Sequence, residues 1–211
     1  MQSYWLGNEK EVTIPGECGN IQAGYSEGIN SKTCLLVCHP HPLHQGSMFN
    51  KVVTTIIKAG RKHQISCLRF NYRGVGKSAG SFDQGKGEMN DAVTCGQWLL
   101  DQTNCEAIWL VGFSFGAAIA YNAQAHLPSC GVILVCPSVV KMDFLAAHQA
   151  SLSIIQAGDD EIISPEDVAN WAKKNQPNHY QIINQASHFF HGKLLVLQEC
   201  IEAIIEKSSY P

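Results

Sequence analysis

The chain has no apolar run near the roughly 20 residues that a membrane span requires; its longest runs are of strand length. It is also poor in charge. Asp, Glu, Lys and Arg make up 16% of its 211 residues, with a formal net charge of -3, so there is no electrostatic footprint for nucleic acid or an anionic membrane surface. No Cys-x-x-Cys pair occurs among the nine cysteines, which argues against a zinc site or a dithiol redox motif. Their number is odd. Cys34, Cys38, Cys67 and Cys136 sit inside apolar runs, where a free thiol packs as a small hydrophobe. A reduced, cytoplasmic protein is the expectation. Met1 to Lys10 lacks a basic start followed by an apolar block, so no secretory leader is expected. Repeats, low-complexity tracts and linkers are lacking too, and residues 1–211 read as one domain.

What is present is an alternation of element signals. Glu11–Ile14 and Ile21–Tyr25, with Pro15-Gly16 and Gly19-Asn20 between them, read as an antiparallel hairpin. Apolar runs at 33–38, 65–70, 107–111, 131–136, 153–157 and 179–183 read as strands. Helical signals fall between them: Met48 to Lys62, Gly85 to Asp101, Ala117 to Ala123, Pro165 to Lys174 behind Ser164 as cap, and Leu194 to Ile205. This order predicts an α/β fold with a mostly parallel sheet and helices on both faces. A functional site then lies beyond the carboxyl ends of the strands.

One of those strand ends carries Gly112-Phe113-Ser114-Phe115-Gly116. Gly-x-Ser-x-Gly between a strand and a helix is the sequence form of a nucleophile elbow, a turn tight enough to strain the serine and lift its hydroxyl above the sheet. The five-residue pattern alone is common, so later residues must support it. An acid at a later strand end and then a histidine are required, and both occur. Gly158-Asp159-Asp160-Glu161 follows the 153–157 strand, and Ser187-His188-Phe189-Phe190 follows the 179–183 strand. Ser114 is the candidate nucleophile, His188 the base and Asp160 the acid that orients it, with Asp159 as the alternative. An oxyanion hole needs two backbone donors. Phe115 supplies one. The other is expected from His39-Pro40-His41-Pro42-Leu43. Proline has no N–H, which leaves His41, or Leu43 behind it.

Two rival motifs are weaker. His39, His41 and His44 suggest a metal, but no carboxylate or cysteine accompanies them in that loop, and no metal or other cofactor is expected. Gly76-Lys77-Ser78 follows a strand, as in a phosphate loop, but Asn71 stands where that pattern needs glycine. A loop shaped by Gly74 and Gly76 and anchored by Arg73 is the simpler reading.

Taken together, these stretches resemble a bacterial family of small, lidless α/β serine hydrolases related to dienelactone hydrolases and the wider esterase group. The matching residues are His39 to Leu43, Leu68 to Ser78, Gly80 to Asp83, Gly112 to Gly116 and Ser187 to Gly192. The resemblance spans about residues 10 to 205 and implies an α/β-hydrolase fold and esterase activity through Ser114, Asp160 and His188. Dienelactone hydrolases proper carry cysteine where this chain has Ser114. The family's usual acid motif has two residues between glycine and aspartate, whereas one separates Gly158 from Asp160, so Asp159 stays open.

About 15 residues separate the 131–136 strand from the next, room for a loop and a short helix near Phe144 to Gln149 but not for a lid. An open site for small carboxylic esters or thioesters is expected, with Phe113, Phe115, Phe189 and Phe190 divided between site wall and core. The partner is then a small molecule, with no nucleic acid or membrane; monomer and homodimer are equally compatible. A peptidase or acyltransferase could run on the same three residues, and a non-catalytic binding module could reuse the fold.

Overall fold

The computed structural model describes residues 6–145 and 150–207. Eight strands form one sheet, in the order β1-β2-β4-β3-β5-β6-β7-β8. The hairpin is β1 (Lys10–Gly16) and β2 (Gly19–Ser26). Its strands run through the glycines and proline expected to form the turn, and only Glu17 and Cys18 are left to make it. Pro15 is tolerated because β1 is an edge strand, where a missing N–H costs no ladder bond. β2 pairs antiparallel with β4 (Ile65–Phe70), and β3 (Asn30–Cys38) lies beyond it.

From β4 across β3, β5 (Ala107–Phe113), β6 (Ser129–Val135), β7 (Ser151–Ala157) and β8 (His179–Ile183), every pairing is parallel. Their side chains alternate between two apolar layers. Leu35, Val37, Trp109 and Val111 pack with α1 (Lys51–Lys62) and α5 (Leu194–Lys207). Cys34, Leu36, Ile108 and Leu110 face α2 (Lys86–Thr103), α3 (Phe115–Ala123) and α4 (Pro165–Asn175). A strand covered on both faces needs no polar alternation, which is why these segments read as unbroken apolar runs.

Caps set the helix starts. Asn50 accepts from the Val52 N–H at 2.8 Å, so α1 begins at Lys51 rather than at Met48. Glu88 closes the start of α2 by accepting from the Gly85 and Asp83 N–H groups, at 2.7 and 2.9 Å. Residues 136–150 join β6 to β7, and no cap domain is inserted there. Phe144 and Leu145 are not helical; the rest of the short helix expected near Phe144 to Gln149 lies outside the described residues. Among the described residues no helix is long and apolar enough to cross a membrane.

Candidate active site

Ser114 sits between β5 and α3 with φ 57° and ψ -114°, a region that side-chain-bearing residues adopt only when the surroundings impose it. Both flanking glycines are required. A Cβ on Gly112 would run into the Gly116 carbonyl, and one on Gly116 into the carbonyl of Cys38. The turn is pinned from β6, where the Ser114 N–H donates to the Val135 oxygen at 2.9 Å, and the Ser138 N–H reaches the Ser114 oxygen at 3.4 Å.

β7 and β8 bring the acid and the imidazole together. His188 Nδ1 lies 2.8 and 3.0 Å from the two Asp160 oxygens. The carboxylate only accepts, so Nδ1 carries the hydrogen and Nε2 of the neutral ring keeps a free lone pair. Asp160 Oδ1 also accepts from the Ile162 and Ile163 amides, at 2.9 and 2.8 Å. Burial alone would raise this carboxyl; the bonds from His188 and the two amides outweigh it and hold the group below its ordinary value. Asp159 is exposed, and only its backbone is engaged, donating to Ala186. Phe113, next to Ser114, stacks on the His188 ring with centroids 4.9 Å apart, which brings the elbow and the imidazole to one place. Ser114, Asp160 and His188 are all nearly buried, at 9, 9 and 2% exposure.

The loop after β3 packs on the elbow. His39 is fully buried, its Nδ1 2.6 Å from the Pro40 oxygen and its Nε2 accepting from the Tyr72 N–H at 3.2 Å. Both nitrogens are spent, and burial lowers its pKa to about 3, so His39 is a structural bolt and not a metal ligand. The Leu43 N–H donates to His41 Nδ1 at 3.2 Å, so it is engaged within its own loop. The His41 ring meets Phe115 at 4.9 Å, so His41 and Phe115 lie side by side at the top of α3. Arg73 anchors the next loop through Asp91 at 2.8 Å, with Gly74 and Gly76 both at positive φ. Of the four phenylalanines, Phe113, Phe115 and Phe190 are buried and Phe189 is 37% exposed.

Three supporting residues had no role in the sequence reading. Gln156 is fully buried and donates from Nε2 to Asp160 Oδ2 at 3.1 Å; a glutamine directly after Ile154-Ile155 in a central strand was the available signal. Glu161 accepts from the His188 backbone N–H at 3.0 Å. The Cys136 sulfur lies within 4.8 Å of ligand atoms of both Asp160 and His188. Burial pushes this thiol well up, so it stays protonated, and the imidazole and carboxylate are committed to each other rather than arranged around a cation.

Comparison with known proteins finds the same fold. The model of the alpha/beta hydrolase family matches residues 35–191. The uncharacterized protein RP471 of Rickettsia prowazekii (strain Madrid E) is 36% identical over 87% of this chain and 83% of its own length. XC6422 from Xanthomonas campestris, described as an a/b serine hydrolase without lid, superposes with TM-score 0.89 at 31% identity, covering 98% of this chain and 99% of that one. An alpha-beta serine hydrolase homologue from Coxiella burnetii gives 0.87 at 34% identity, covering 96% and 100%. With a strained serine turn between β5 and α3, a sheet of this order, no cap between β6 and β7 and a family model matching most of its length, the chain belongs to the alpha/beta hydrolase family.

Proposed function

We propose that the protein hydrolyses small carboxylic esters or thioesters through an acyl-enzyme formed on Ser114. The observation that carries this reading is Ser114 held at φ 57° next to Phe113, whose ring packs on an imidazole bonded through Nδ1 to a buried carboxylate. In the first half-reaction His188 Nε2 takes the Ser114 hydroxyl proton as the oxygen bonds to the acyl carbon. The proton then passes to the departing alkoxide or thiolate as its bond to that carbon breaks. Water repeats the sequence in reverse, giving the free acid and restoring Ser114. Asp160 keeps the Nδ1–H tautomer and stabilises the imidazolium. The Phe115 and His41 N–H groups serve the oxyanion.

A site without a cap suits short-chain or small aromatic esters. The test is covalent labelling by a fluorophosphonate, followed by hydrolysis of p-nitrophenyl acetate. Ser114→Ala should abolish labelling. Ser114→Ala and His188→Ala should each lower kcat by ~10⁴-fold or more. Normal turnover by either variant overturns the reading.

A further inference from the structure

A groove of about 570 Å³ lies between the start of α2, Ile119 and Asn122 of α3, and the segment after β6. That volume is ordinary for a small-molecule site. Met89, Ile119, Met142 and Leu145 give it an apolar wall, with Gln84, Asn122 and His126 also lining it, and Leu145 is left 81% exposed. Lys86 and Lys141 stand on its rim; the charge of Lys86 is also felt by the Glu17 carboxyl. Among the described residues Asp143 is the one acid that lines the groove. The two lysines therefore leave the rim cationic on a chain whose formal net charge is -3.

Three observations join the groove to the elbow. A Cβ on Gly85, in its wall, would lie 4.0 Å from the Phe115 ring. The His41 imidazole is depressed first by burial, then by His44 and by Lys141, so the charge of Lys141 is felt at the loop above the serine. The segment carrying Lys141 and Met142 begins where the Ser138 N–H meets the Ser114 carbonyl. Asn122 holds the far end of that segment, donating to the Asp143 carbonyl and accepting from the Leu145 N–H, both at 2.8 Å. The groove wall is thus fixed to the elbow at one end and to α3 at the other.

We propose that this groove receives one arm of the substrate, an aliphatic or aromatic chain bearing a carboxylate or other anionic group that Lys86 and Lys141 bind. The inference rests on the ester-hydrolase reading for what happens at Ser114, but the groove is testable without it. Two pairs of substrates place the anion on either side of the ester: p-nitrophenyl hydrogen adipate against p-nitrophenyl hexanoate, and 4-acetoxybenzoate against 4-methylphenyl acetate. The readout is the anionic-to-neutral ratio of kcat/KM in the wild type, divided by the same ratio in the Lys86→Gln/Lys141→Gln variant, which cancels leaving-group differences. A tenfold or greater quotient in one pair is expected and assigns the arm. A quotient near one in both pairs overturns the proposal. 8-Anilinonaphthalene-1-sulfonate, which joins apolar rings to a sulfonate, probes the groove in the absence of turnover. Saturable binding weakened at least tenfold in the double variant is expected. No saturable binding, or equal binding by the two proteins, counts against the groove. Sulfonate binding that needs the lysines in a protein that neither labels with fluorophosphonate nor turns over any ester would uphold the groove and refute the hydrolase reading.

Discussion

Two adjacent aspartates divide at the level of single side chains. Asp160 is buried and bonded to His188 and to two amides, whereas Asp159 is exposed. Asp160→Asn keeps the size of the group but offers a donor where Nδ1–H needs an acceptor, favouring the wrong tautomer. We expect kcat to fall by ~10³- to 10⁴-fold. Asp159→Asn changes a solvated charge and should stay within about threefold, in line with surface substitutions generally. Steady-state hydrolysis of p-nitrophenyl acetate by the two variants checks both. The converse result, with Asp159→Asn the inactive protein, would reassign the acid. The sequence favoured Asp160 but left Asp159 open, because one residue of register at a strand end decides which side chain turns inward.

At the scale of elements, the unit that matters is the β5-turn-α3 unit. α3 is buried along almost its whole length, and its alanines let it sit against the sheet. Gly112 and Gly116 touch backbone atoms on either side, so the turn has no room to relax. Gly112→Ala should therefore force the elbow open, destabilising the protein by ~1–3 kcal/mol and lowering turnover along with stability. Urea unfolding and hydrolysis rates measured on the same samples check this; an unchanged midpoint would mean the turn has slack. The Gly-x-Ser-x-Gly spacing and the strand before it were readable because the demand is local. The loop after β3 was only half readable. Proline removed two of its donors on chemical grounds, but the engagement of the Leu43 N–H by the His41 ring follows from a folded turn.

For the whole molecule, buried polar groups tie distant segments and set the response to acid. Arg69 on β4 and Glu9 are both fully buried and joined by two bonds of 2.7 Å, which clamp the chain before β1 to the sheet. His39 bridges the loops after β3 and β4 in neutral form, its pKa lowered by burial from 6.5 to about 3. Between these values the unfolded chain binds a proton that the native one refuses. The stability from His39 is thus whole above pH 6.5 and is lost as pH falls toward 3, by up to ~1.4 kcal/mol per pH unit. From pH 7 to 4.5 the wild type should lose ~2–3 kcal/mol more than His39→Gln, measured by urea denaturation. Equal losses would show that His39 is protonated in the native state.

The sequence by itself determined the order of elements, the two-faced burial of the central strands and the family resemblance, because apolar periodicity, glycine spacing and proline chemistry act over a few residues. Only the tertiary structure decided which aspartate meets His188, how Gln156 and Glu161 hold that pair, and that Lys86, Lys141 and Met142 come together on one groove. The bonds to His188 and the groove join segments far apart in the chain, and nothing local in any one segment specifies the other.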